Sequence, residues 1–188
     1  MFVLASCQEN IRIVPQDLHK EQLQAITDEI EKTYFDKVIP EVGLVITLYD
    51  ISSIEGGEVY AGDGAPRFSV SFRLVVFRPF VGEVLVGKLL DSDASGLKVS
   101  LGFFDDIHVP EHLLQEPSVF DDTEGLWVWK YNDNDMFMDK EEEVRFKVSS
   151  VKFPPLPPEN DGTVKVFSPM EITGDINADG LGLVSWWS

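Results

Sequence analysis

Cysteine is nearly absent: the 188 residues hold one, Cys7. A single thiol excludes an internal disulfide framework and any zinc site built on cysteine pairs. Histidine is scarce as well, with His19, His108 and His112 the full set. His108 and His112 stand four apart, but Pro110 argues against a helix that would align them as ligands. Positive charge is in short supply, 15 Lys and Arg against 33 Asp and Glu, for a net charge of −18. Tight nonspecific nucleic-acid binding needs Lys and Arg to displace counterions from phosphate, so this balance opposes it and favours basic protein partners. No apolar run approaches the roughly 18 residues of a membrane span. The start, MFVLASCQEN, lacks the basic flank and long apolar stretch of a secretion signal. The expectation is a soluble intracellular protein with no membrane partner. G-x-S-x-G, HExxH and a phosphate-binding glycine loop are all missing, so nothing predicts an enzyme, a cofactor or a metal.

What is present is apolar and β-rich. Hydrophobic residues make up 44%, with 13 Phe, enough for real cores. The chain is organised around residues 67–90, RFSVSFRLVVFRPFVGEVLVGKLL. Phe68, Val70, Phe72, Leu74 and Val76 alternate with Ser69, Ser71, Arg73, Val75 and Phe77, the period of a strand with one buried face. Pro79 then removes a backbone donor and interrupts the ladder. A second apolar run begins at once after Gly82. Two long strands meeting at a proline predict a domain junction at Phe77, Pro79, Phe80 and Gly82, with a stiff seam between residues 1–79 and 80–188.

In the first part, residues 2–14 predict an irregular strand ended by Pro15, with Cys7 as a small core residue. Asp17 is placed as a helix cap. Leu18, Leu23, Ile26, Ile30 and Tyr34 then recur at helical spacing to about Lys37. VGLVITLYDI (residues 42–51) is a strand, and residues 52–66, with Gly56-Gly57 and Gly62-Asp63-Gly64, read as a polar connection. Strand–helix–strand–strand predicts one helix on a small sheet, an α+β layer.

The second part is all β. Residues 82–90, 97–101, 107–109, 126–131, 144–153, 164–176 and 181–187 are expected strands, and 154–162, PPLPPENDG, a stiff exposed loop. Short strands at near-regular spacing predict a small closed barrel. Residues 81–188 carry 21 acidic and 8 basic groups, against 12 and 7 in residues 1–80.

Few constellations invite chemistry. Asp175–Gly180, DINADG, matches the first six positions of a calcium loop, but position twelve is Trp186 rather than an acid, so a tight turn is the stronger reading. Asp105-Asp106, Asp121-Asp122 and the acidic stretch at 132–143 read as solvated turns. Trp127 and Trp129 share a strand face, and alternation sends one of Trp186 and Trp187 inward. Such rings can stack bases in a barrel, although packing is the stronger reading.

Several segments resemble a known family. FRLVVFRPFVGEVLVGKL (72–89) resembles the domain junction of the larger, S1/OB-containing stalk subunit of archaeal and eukaryotic RNA polymerases. GDGAPRFSV (62–70) looks like the tip segment before it. GLKVSLGFFDDIHVPEHLL (96–114), LWVWKY (126–131), MFMDKEEEVRF (136–146) and GLGLVSWW (180–187) are most similar to the RNA polymerase III member. The likeness covers nearly the whole chain.

The resemblance implies a ribonucleoprotein-like tip domain that docks on the polymerase core, followed by an S1-type OB barrel. It implies a noncatalytic nuclear subunit that pairs with a smaller stalk subunit as a heterodimer. Such a subunit would support initiation on tRNA and 5S rRNA genes, recruit initiation factors and, in some members, touch nascent RNA. Core docking is assigned to the tip loop, Gly62, Asp63, Gly64 and Arg67, where glycines permit close backbone approach and Asp63 would meet a basic residue on the core. Many S1 domains begin the third strand with a glycine and a histidine; this chain has Asp106 and Val109 there, which argues against tight RNA binding. Lys88, Lys98, Lys130 and Lys147 are the candidate RNA contacts, as a basic strip or as ordinary surface charges. The alternative function is a free single-stranded RNA-binding OB module.

Overall fold

A computed structural model of the chain describes residues 1–155 and 168–187. It divides into two units, Met1–Arg78 and Pro79–Ser188.

The first unit is a four-stranded antiparallel sheet with one helix on it. Strand β1 (Phe2–Arg12) leads through a short 3-10 turn (Pro15–Asp17) to helix α1 (Gln22–Tyr34). Strands β2 (Val38–Ile39), β3 (Gly43–Val59) and β4 (Pro66–Phe77) follow. The sheet order is β1-β4-β3-β2. The alternation in β4 does what its period requires: Val70, Phe72, Leu74 and Val76 are buried on the helix face. Against them lie Ala25, Ile26 and Ile30 of α1, with Tyr34 tilted on Phe72 at 5.7 Å. Cys7 packs beside this core, half-buried, and burial pushes its thiol up, helped by the charge of Glu9.

Three expectations change. Residues 2–12 form one uninterrupted strand, because β1 stays in register with β4 from Phe2↔Phe77 to Arg12↔Arg67. The helix starts at Gln22, and Asp17, in the 3-10 turn, caps nothing; it pairs instead with Lys20 at 3.1 Å. Leu18 and Leu23 are therefore half exposed. Leu18 precedes the helix, and Leu23, though in line with Ile26, Ile30 and Tyr34, stands in the first turn, ahead of the first buried residue of that stripe. Finally, β3 continues through Gly56 and Gly57 to Val59, so the expected connection shrinks to residues 60–65. The glycine pair is a bulge, where the β3–β4 register shifts between Gly56 and Glu58. Gly57 has φ +100°, and a Cβ there would stand 2.9 Å from the Phe68 ring.

The second unit holds a barrel and a separate small sheet. The barrel strands are β5 (Val84–Asp93), β6 (Gly96–Ser100), β7 (Ile107–Pro110), β11 (Glu143–Lys152) and β12 (Glu171–Asp175). The ring closes because β12 pairs in parallel with β7 and antiparallel with β11, which also pairs with β5. Five strands closed this way are the OB arrangement. Leu89, Leu97, Val99, Ile107, Val109, Phe146 and Val148 fill it, at alternate positions along their strands.

Between β7 and β11 the chain makes β8 (Ser118–Asp121), β9 (Leu126–Tyr131) and β10 (Asn134–Phe137), a three-stranded sheet of its own. LWVWKY is thus a strand, but not of the barrel. Trp127 and Trp129 are both buried. The Trp127 indole donates to the Asp93 carbonyl at 2.8 Å, and Trp129 lies 5.0 Å from Trp186. Residues 181–187 are not one strand: β13 (Gly182–Leu183) gives way to a 3-10 turn, Val184–Trp187. The loop expected at 154–162 and the start of the strand expected at 164–176 lie largely outside the described residues.

Candidate functional site

Two places gather functional groups. The first is the tip of the N-terminal sheet, the turn that joins β3 to β4. Gly62 and Gly64 are exposed there with φ of +90° and +67°, and a Cβ on either would meet no atom within 4 Å. Between them Asp63 is gripped from inside the chain. Arg12 donates through Nε to both carboxylate oxygens, at 3.0 and 3.2 Å, and through Nη2; Arg67 donates at 3.3 Å. A bidentate guanidinium favours the ionised acid, so Asp63 falls to about 2, chiefly through Arg12 and then Arg67. Arg67 also lies 5.2 Å over the Tyr60 ring. The structure thus brings together Gly62, Asp63, Gly64 and Arg67, and adds Arg12. Nothing local in the sequence marks Arg12, which is 51 positions from Asp63. Only the β1–β4 register, which sets Arg12 opposite Arg67, delivers it.

At the start of the second unit, Phe80 to Glu83 make a turn closed by a 3.1 Å backbone bond, with Gly82 at φ +91°. Phe77 is buried and tilted on Phe2 at 5.6 Å; Pro79 is buried; Phe80 is 62% exposed. The buried Glu83 accepts from the Phe80 amide at 3.2 Å.

The second place is a groove of about 310 Å³ on the barrel, crossing β5, β6, β7 and β12. Its wall carries Asp91, Asp93, Asp106 and Glu171 against one lysine, Lys98. Asp91 pairs with Lys140 at 2.6 Å. Asp93 accepts from the Ser95 amide at 2.7 Å and from its hydroxyl, closing the β5–β6 hairpin. Both carboxyls are held below the usual range, Asp91 by Lys140 first and Asp93 by the Ser95 hydroxyl first. Among the described residues, no side-chain bond or ion pair engages Asp106 or Glu171. Ser92, also in the wall, is buried, and its Oγ has no hydrogen-bond partner among the described residues. Asp106, expected in a solvated turn, is half-buried at the groove, while Asp105 takes the Ser100 hydroxyl.

The four lysines lie apart. Lys147 sits opposite Val84 on β5, four residues from Lys88, which faces Glu143. Lys98 is in the groove wall, and Lys130 is on β9. Lys130 pairs with Asp135 at 2.7 Å and Lys147 with Asp175 at 3.8 Å. The DINADG segment forms a turn in which Asp175 accepts the Asn177 amide at 2.8 Å. No three acids, histidines or cysteines among the described residues converge as metal ligands.

Comparison with known proteins sets these features in a lineage. Residues 8–64 match the family described as the SHS2 domain found in the N terminus of Rpb7p/Rpc25p/MJ0397. The chain is 40% identical over 202 residues to DNA-directed RNA polymerase III subunit RPC8 of Bos taurus, covering 100% of this chain and 99% of the relative. The corresponding subunit of Schizosaccharomyces pombe is 37% identical, with 100% of both chains covered. DNA-directed RNA polymerase subunit Rpo7 of Saccharolobus solfataricus is a more distant relative, 27% identical over 67% of this chain. The barrel and its inserted sheet, residues 83–187, match the family described as RNA polymerase III subunit Rpc25, and the chain belongs to that family.

Proposed function

We propose that this chain is the larger, noncatalytic stalk subunit of a nuclear DNA-directed RNA polymerase III. The observation that carries this is the end-to-end likeness to RPC8 subunits, which spans the tip sheet, the junction and the barrel in one order. The two places described gather ion pairs and turn-closing bonds, which suit a subunit that is held rather than one that reacts. In this reading residues 1–79 dock on the polymerase core, residues 80–188 form the outer barrel, and a smaller stalk subunit pairs with the chain as a heterodimer. The assembly recruits initiation factors for tRNA and 5S rRNA synthesis.

The tip loop, residues 62–67, is the docking element. Its glycines leave backbone accessible, and its internal Asp63 pairs hold the loop in shape before it meets the core. Asp63 therefore acts on the core through the loop's shape rather than by meeting a basic residue there. Tagged chain expressed in its source cells is expected to recover both the smaller stalk subunit and the core. The paired substitution Asp63→Arg with Arg67→Glu is expected to lose core and keep the heterodimer. Core recovered at wild-type yield by that variant would remove the docking role from the loop. Loss of newly made tRNA and 5S rRNA on depletion, with messenger RNA synthesis unchanged, tests the wider assignment.

A further inference from the structure

Strand β1 is the straight outer edge of the first sheet. It stands at the end of the strand order, and β4 is the one strand paired with it among the described residues. The Arg78 amide donates to the Met1 carbonyl at 2.8 Å, and the Ile13 amide to the Pro66 carbonyl at 3.0 Å. In an antiparallel pair such bonds fall on alternate residues, so the odd-numbered positions of β1 bond to β4 and the even-numbered ones point N–H and C=O outward. Among the described residues no backbone bond reaches those outward groups of Leu4, Ser6, Gln8 and Asn10. Natural sheets blunt such edges with proline, lysine or bulges. The other long edge of this sheet, β3 beyond its short pairing with β2, is broken by four register shifts against β4. By contrast β1 has no proline, no lysine and no shift from Phe2 to Arg12. Its first part is also apolar and open, with Val3 42% and Leu4 48% exposed. A straight edge of this kind is a template for one more strand.

We propose that β1 takes an extended segment of a partner polypeptide as an additional strand, with apolar residues beside Val3 and Leu4 and a lysine or arginine beside Glu9. Backbone pairing explains the outward N–H and C=O groups, and charge selects the side chains. Glu9 is exposed and has no ion pair among the described residues. Glu29 of α1 stands near enough to act on Arg12, and Arg12 itself is engaged by Asp63. The accessible charge along the edge is therefore negative, on a chain of net −18. A second copy suits this edge less well. Two β1 strands running antiparallel in full overlap would set Leu4 against Asn10, the apolar end of each on the polar end of the other. They would also bring together two chains that each carry −18.

The test is amide hydrogen exchange on the whole tagged chain, free and in the assembly recovered from its source cells. The amides of Leu4, Ser6, Gln8 and Asn10 are expected to exchange fast in the free chain and at least about tenfold more slowly in the assembly. Ser6→Pro with Gln8→Pro removes two outward N–H groups and no bond to β4. That pair is expected to melt like the wild type and to return Leu4 and Asn10 to the free-chain rate. Should it disturb the sheet, Leu4→Lys with Ser6→Lys keeps every N–H and sets two charges on the edge, with the same loss of protection expected at Gln8 and Asn10. Glu9→Lys is expected to speed exchange of the four amides in the assembly about threefold. Equal exchange in the free and assembled chain would overturn the proposal. So would protection that appears in the free chain as its concentration rises, which would mean a second copy. Protection that survives both edge variants would mean a covering surface rather than a strand, and protection unmoved by Glu9→Lys would remove the basic residue; either result overturns it too. The edge amides themselves are read, so no outcome depends on whether the assembly is a polymerase.

Discussion

Asp63 at the tip of the N-terminal sheet meets two guanidinium groups of its own chain, whereas Asp106 and Glu171 in the barrel groove meet none among the described residues. The residue type is the same; what differs is what the strand registers place beside it. At the tip, β1 and β4 run antiparallel from Phe2↔Phe77 to Arg12↔Arg67, so two arginines arrive at the same end of the sheet as the turn that carries Asp63. In the groove, β7 and β12 run in parallel with Ile172 opposite Ile107 and Thr173 opposite His108, which sets Glu171 beside the residue preceding β7, Asp106. Two acids are thereby set side by side, with no ion pair to either among the described residues. A carboxylate that is satisfied internally shapes a loop; one that is not creates a field for something else.

Both regions also rest on glycines, and these offer the strongest ways to break the comparison. Gly96, at the start of β6 with φ +145°, would place a Cβ 2.1 Å from the Val109 carbonyl oxygen. Gly96→Ala is expected to cost upwards of about 4 kcal/mol and to unfold the barrel side of the groove, seen as a large drop in urea midpoint. At the tip, Gly57→Ala meets only the Phe68 ring, at 2.9 Å, and a ring can yield where a carbonyl cannot. Its expected cost is smaller, about 1–3 kcal/mol, with the bulge rather than the sheet disturbed. A larger loss at Gly57 than at Gly96 would mean that the tip, and not the barrel, is the more rigidly determined region.

Titration sharpens the contrast further. Asp63 is held at about 2 in the folded chain, below the roughly 3.9 of an unstructured Asp. Its pairing is therefore fully present above pH ~4 and is lost as pH falls toward about 2. Arg12→Ala removes the main cause and is expected to raise the Asp63 titration toward 3.9, followed by carboxyl NMR, with faster amide exchange at residues 60–65. An unmoved titration would shift the credit to Arg67. The smallest effect is expected at Ser92→Ala. Deleting a buried hydroxyl that has no partner among the described residues should leave stability unchanged or raise it by up to about 1 kcal/mol in thermal melts of the free chain. A clear loss would reveal a bond to Ser92 within the chain.

Much of the architecture was legible from periodicity alone. The alternation from Phe68 to Val76 and the break at Pro79 are local patterns, and local patterns survive into the fold. The errors arose where a local preference met a long-range pairing. Gly56-Gly57 looks like a turn, but β4 supplies a partner strand on the far side, and the pair becomes a bulge. Leu23 looks apolar and helical, and it lies on the stripe, yet it stands in the first turn of the helix, short of the part that is buried. Trp127 and Trp129, by contrast, share a face as alternation requires, and both are buried, in keeping with packing as the stronger reading. At the tip, the loop residues were readable and Arg12 was not. The groove was unreadable as a feature, because its acids come from two separate strands and the segment before a third, each unremarkable alone.

The amino-acid sequence by itself determined the inventory: a strongly acidic chain, one thiol, a strand with one apolar face, and a proline where the first unit ends. Those properties depend on residue order and need no partner. Only the tertiary structure decided which charges are neighbours, because strand register brings together residues tens of positions apart while local composition is blind to them. That is why Asp63 is locked by Arg12, and why Asp106 and Glu171 stand side by side without a base of their own among the described residues.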